Sequence, residues 1–179
     1  FLLKTILFLR RDCSNGLLAI VLILLVQGSV FANSSYASDK IYKVKAGFLL
    51  NFAKYVRWPN ELGESIRLCS LETNPFGDLL SALEKRKVKG LSIKTAVVSS
   101  QVVRESCDMV FVPSGSKVAE SLLLEFEKSG LLVVSEDGDS GTINLFLKDN
   151  KLRFAIYHER ASGSGFNFSS QLLKLAELR

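Results

Sequence analysis

The sequence is poor in the residues that assemble most metal and acid–base sites. It holds one histidine, one tryptophan and one methionine in 179 residues. A single histidine excludes the multi-histidine zinc sites, which draw two or three imidazoles from one chain. Three cysteines are too few for a disulfide-built scaffold. Three prolines and twelve glycines rule out a collagen-like chain and leave little room for linkers. No unit repeats, and no stretch is of low complexity. What remains is an ordinary folding composition, 47% hydrophobic and 23% charged, which excludes disorder. The formal charge of +5 is unevenly spread. The first 37 residues carry Lys4, Arg10 and Arg11 against Asp12, so the rest is only weakly basic. That balance points away from nucleic acid as a partner.

The N-terminal stretch has its own grammar. Arg10 and Arg11 precede Leu17–Val26, an uninterrupted apolar run, and Gln27, Gly28 and Ser29 follow. Two small-residue triplets come next, Val30-Phe31-Ala32 and Ser35-Tyr36-Ala37. A basic start, an apolar core of about ten residues and a small-residue site form an export signal in order. A membrane span would need about twenty apolar residues. The expectation is a signal peptide over 1–37, cleaved after Ala32 or Ala37, and a single exported domain over 38–179. Export would place Cys69 and Cys107 in an oxidising compartment, where the pair is expected to form a disulfide.

Along 38–179 the spacing alternates between helix and strand periods. Ser38 is expected to cap a helix from Asp39, with Ile41, Val44, Phe48, Leu49, Phe52 and Val56 on its apolar face. That helix should stop near Arg57, because Trp58 precedes Pro59. Ile66–Leu71, Leu91–Val98, Cys107–Val112 and Leu131–Val134 read as strands. Asn74-Pro75 reads as a cap and first residue of a helix that Lys85-Arg86-Lys87-Val88-Lys89 closes. A further helix is expected from Ser114 or Ser116, stopped by Gly130. Thr142–Leu147 and Leu152–Tyr157 flank a hairpin turn, and Ser169 caps a terminal helix. The whole predicts a single α/β domain: a mainly parallel central sheet flanked by helices, with a C-terminal antiparallel hairpin. A Cys69–Cys107 bridge would make the first and third strands neighbours, as in a 2-1-3-4 order.

Candidate chemistry is thin. Gly138-Asp139-Ser140-Gly141 has the look of a serine-protease loop, yet the only histidine, His158, lies downstream of it, and a triad needs a base within reach. An EF-hand-type calcium loop counted from Asp137 would need glycine and glutamate where Thr142 and Lys148 stand. Gly163-Ser164-Gly165 lacks both the nucleophile-elbow spacing and the phosphate-loop lysine. The run Lys85–Lys89 reads as a solvated face, Trp58 as core packing, and His158 as a surface or capping residue. No catalytic residue, metal site or cofactor is expected, and partner-binding residues are not assigned.

Three stretches together resemble the YfiR family. They are Ala46–Pro59; Ile66–Cys69 and Asn74–Gly77 paired with Cys107–Val112; and Gly141–Leu145, Leu152–Ile156 and Gly165–Ala176. The resemblance implies a periplasmic, non-enzymatic protein that binds the periplasmic sensor domain of an inner-membrane diguanylate cyclase. Such a protein lowers cyclic di-GMP and biofilm formation, and an outer-membrane lipoprotein can sequester it. It also implies the Cys69–Cys107 bridge. A second cysteine pair of the best-known member is absent, and Tyr157 stands where the family often has asparagine. A homodimer stays open. The alternative is a periplasmic small-ligand binder with its pocket at the carboxyl ends of the parallel strands.

Overall fold

The computed structural model describes the backbone from residue 32 and the side chains from residue 40, through Arg179. Residues 1–31 of the expected signal segment lie outside the described residues. Helix α1 spans Ala32–Tyr55, so it starts before the expected Ser38 cap. No glycine or proline stands between Ala32 and Ser38 to stop it.

Val56–Arg57 (β1) follows at once, and Ser65–Leu71 (β2) opens the main sheet. Next come α2 (Asp78–Ala82), a 3-10 turn (Leu83–Lys85), β3 (Lys87–Val88) and β4 (Leu91–Val98). Then follow α3 (Val103–Ser106), β5 (Met109–Val112), α4 (Glu120–Lys128) and β6 (Leu132–Glu136). The chain ends with β7 (Ile143–Lys148), β8 (Lys151–Ile156), α5 (His158–Gly163), β9 (Asn167–Phe168), α6 (Ser170–Leu173) and β10 (Glu177–Leu178).

Among the described residues the main sheet has eight strands in the order β10-β8-β7-β6-β5-β2-β4-β3. From β4 to β7 every neighbour is parallel, and β7–β8 is the antiparallel hairpin. The expected 2-1-3-4 order is therefore present as β4-β2-β5-β6. A separate two-stranded pair joins β1 to β9.

Period-two alternation divides the core between the two faces of this sheet. Leu68, Met109, Phe111, Leu132, Val134, Ile143, Leu145 and Phe154 pack with Leu49 and Phe52 of α1. Cys69, Leu71, Val110, Val112 and Val133 pack with Val103 of α3 and with Leu123 and Phe126 of α4. The central strands are thus buried on both sides, as parallel sheets are.

Several elements depart from the sequence expectation for local reasons. On α1 the inward face is Lys45, Ala46, Leu49, Phe52 and Ala53, while Val44 is 44% exposed. Asn74-Pro75 does not start a helix. The Asn74 Oδ1 accepts from Phe76 N–H at 3.0 Å, and Gly77 takes φ +55° before α2 begins at Asp78. The run Lys85–Lys89 closes the helical segment at Lys85, with Arg86 as its C-terminal cap, and then forms the edge strand β3 and a tight turn, with Lys89 and Gly90 both at positive φ. The expected strand from Cys107 starts at Met109, because Val103–Ser106 is a helical turn. Pro113 and Gly115 hold a turn ahead of α4, with Ser116 N–H bonded to the Pro113 carbonyl at 3.2 Å, so α4 starts at Glu120. The expected β7–β8 hairpin is present, and its turn is two residues, Asp149 and Asn150, both at positive φ.

Candidate functional site

In open α/β sheets, ligand crevices form at the carboxyl ends of strands where the strand order reverses. Here that point lies between β2 and β5, and side chains of α1, of the loop after β2 and of β6 meet beside it. Lys45 of α1, 5% exposed, pairs with Glu136 at the end of β6. Its ammonium also sits 4.2 Å from the Tyr42 ring centre. Tyr42 meets Phe76 edge-on at 5.2 Å, and Phe76 meets Phe111 at 4.9 Å. Burial pushes the Tyr42 hydroxyl above its ordinary value, and the charges of Glu136 and Asp137 add to the rise.

Just ahead of the amino end of β5, Cys107 is joined to Cys69 of β2 by a disulfide, with Cα atoms 5.9 Å apart. Beside it the Arg67 guanidinium and backbone N–H both donate to the Asp108 carboxylate, at 2.7 Å each. A cleft of about 170 Å³ opens there, with Trp58, Arg67, Arg104 and Cys107 in its wall. Trp58 is half-buried and meets Phe166 edge-on at 5.9 Å. Its indole N–H is buried with no partner among the described residues.

Two further cavities flank the β1–β9 pair. A basic one, about 460 Å³, is walled by Lys54, Tyr55, Arg57, Lys89, Asn167, Phe168 and Ser169. An apolar one, about 270 Å³, is walled by Phe48, Tyr55, Phe154, Leu172 and Leu175, with Asn51 and Gln171 at its polar edge. Leu175 is 71% exposed. The Ser169 hydroxyl caps α6 by accepting from Leu172 N–H at 3.3 Å, which fixes Leu172 in the apolar wall.

The motifs singled out from sequence do not converge on a reaction centre. His158 is exposed at the first turn of α5. The Ser140 carbonyl accepts from the buried Ser135 hydroxyl. The Asp139 carboxylate accepts from the Tyr157 hydroxyl at 2.8 Å and from Arg179 at 2.9 Å. Burial and then the Asp139 hydrogen bond raise the Tyr157 hydroxyl. Among the described residues no group of three His, Cys, Asp or Glu side chains is placed to hold a metal ion. Sequence reading missed Lys45, Glu136 and the basic cavity. Their partners lie far apart along the chain, and only a lysine on the expected apolar side of α1 hinted at the first.

A family model described as YfiR/HmsC-like matches residues 42–177, from Tyr42 through Glu177. The chain belongs to the YfiR/HmsC-like family. That match covers the two β1–β9 cavities, the disulfide and the Lys45–Glu136 pair. YfiR-like proteins are a periplasmic, regulatory and non-catalytic family tied to diguanylate cyclase control. No curated protein matches the chain. No helix among the described residues is long and apolar enough to cross a membrane.

Proposed function

We propose that this chain is an exported periplasmic regulator without catalytic activity. It represses an inner-membrane diguanylate cyclase by binding the cyclase's periplasmic sensor domain, and so lowers cyclic di-GMP and biofilm formation. The observation that carries the reading is the family match over residues 42–177. The N-terminal signal over 1–37 supports the compartment, and the apolar cavity beside the exposed Leu175 supports a protein partner. Repression of this kind needs only differential binding. An inhibitor that prefers the inactive sensor shifts the cyclase population toward it. A competitor for the inhibitor, such as an outer-membrane lipoprotein, releases the cyclase.

The test has two arms. Deletion of the gene raises cellular cyclic di-GMP, and the tagged exported chain captures a cyclase from solubilised membranes. Unchanged cyclic di-GMP together with no captured cyclase overturns the reading.

One observation favours a second reading, a binder of small organic anions. The basic cavity joins Lys54, Arg57 and Lys89 to the aromatic Tyr55 and Phe168. Such a ligand would raise the melting temperature of the wild type and not of Arg57→Gln.

A further inference from the structure

Six cations gather along one edge of the molecule. Lys85 ends the 3-10 turn, Arg86 and Lys87 lead into the outermost strand β3, Lys89 lies in the turn after it, and all four are exposed. The Lys89 ammonium donates to the Val56 carbonyl at 2.9 Å, which ties this turn to β1. Lys54 and Arg57, on either side of that tie, are exposed as well. Among the described residues none of the six makes an ion pair. The acid next to the run in sequence, Glu84, is engaged elsewhere. Its carboxylate accepts the Thr95 N–H at 2.8 Å and the Thr95 hydroxyl at 2.9 Å.

A block of like charge without internal compensation repels itself and attracts an opposite surface. The shape of the block selects that surface. Lys54, Arg57 and Lys89 share the basic cavity and could surround one small anion. Lys85, Arg86 and Lys87 do not line that cavity but run from the end of the 3-10 turn into β3, where a single small anion held in the cavity would not reach them. An extended array of phosphates engages both groups at once.

We propose that this edge docks on an anionic phospholipid surface, the periplasmic leaflet of the inner membrane. Docking would hold the domain beside membrane-embedded partners and turn its search for them into a two-dimensional one. The inference rests on the periplasmic placement proposed above and not on the cyclase, so a vesicle experiment can fail while that reading stands.

The exported chain is sedimented with vesicles of phosphatidylglycerol and phosphatidylcholine, or of phosphatidylcholine alone. Binding to the mixed vesicles only, lost at high salt, is expected. The variant Lys85→Gln/Arg86→Gln/Lys87→Gln is expected to bind roughly 100-fold more weakly, since each basic residue near such a surface contributes about a fivefold factor. The variant Lys117→Gln/Lys151→Gln/Lys174→Gln removes the same charge from exposed sites elsewhere and is expected to retain most of the affinity. Circular dichroism of both variants checks that they fold. Equal loss in the two variants, equal binding to neutral vesicles, or no binding overturns the proposal. Binding of inorganic phosphate without vesicle binding also overturns it, and assigns the cavity to a soluble anion.

Discussion

Lys45 and Glu136 form an ion pair across 91 residues of sequence, and both side chains are over nine-tenths buried. The pair fastens α1 to the carboxyl end of β6. Tyr42, one turn earlier on the helix, covers it by facing the Lys45 ammonium and meeting Phe76 edge-on. Two charges taken out of water cost several kcal/mol each, and their attraction offsets this only when both are present. The pair therefore acts less as a source of stability than as a device for register. It sets which face of α1 meets the sheet at the carboxyl end of β6.

Removing one partner should be far worse than removing both. Glu136→Ala is expected to lose roughly 3–5 kcal/mol, because it strands a buried ammonium. Lys45→Met combined with Glu136→Leu should recover most of that loss, ending within about 1 kcal/mol of the wild type. Urea denaturation of the two single variants and the double variant measures this. A double variant as unstable as the singles would mean that the pair contributes more than it costs.

The parts of the fold that were legible in the sequence are those set by neighbours a few residues apart. The apolar runs that hold Met109–Val112 and Leu132–Val134, the hairpin over Lys148–Lys151, the Gly130 stop and the Ser169 cap all act over one turn or a few residues. Strand order followed once a covalent constraint between Cys69 and Cys107 was assumed. Lys45 was not legible as a buried residue, because period alone cannot tell a solvated lysine from one whose carboxylate lies 91 residues away. Val88 was hidden inside a run of lysines. As a buried residue of an edge strand it decides that Lys87 and Val88 pair with β4 once the helical segment has ended at Lys85. The basic cavity needs β1, β9 and the β3–β4 turn together, and two of those pieces are only two residues long.

Glu127 should make stability depend on pH in an unusual direction. It is 2% exposed, accepts the buried Thr142 hydroxyl at 2.9 Å, and burial raises its carboxyl above the ordinary value. A folded carboxyl that is harder to ionise than the unfolded one penalises the native state wherever it is charged. The penalty is full above the folded value and is relieved as pH falls through it toward the ordinary carboxylate range. Glu127→Gln removes the penalty while keeping an acceptor for Thr142. The variant should thus be more stable than the wild type at and above neutral pH, and its advantage should shrink as the solution is acidified. Paired urea midpoints across that range measure the difference. An advantage that grows with acid would show that the charged form is the favoured one.

The Cys69–Cys107 bridge should set how much of the protein's stability depends on its compartment. It closes a loop of 38 residues, for which the chain-entropy account gives roughly 4 kcal/mol through the unfolded state. The bridged segments are also held without it. β2 pairs with β5 at Leu68, Cys69 and Ser70, and Asp108 N–H bonds to the Arg67 carbonyl at 2.8 Å. Cys69→Ser combined with Cys107→Ser should therefore keep the far-ultraviolet spectrum while lowering the melting temperature by about 10 °C. The unreduced, denatured wild type, without its signal, should titrate no free thiol. Two free thiols, or a double variant as stable as the wild type, would mean that the hydrogen-bonded sheet alone holds β2 beside β5.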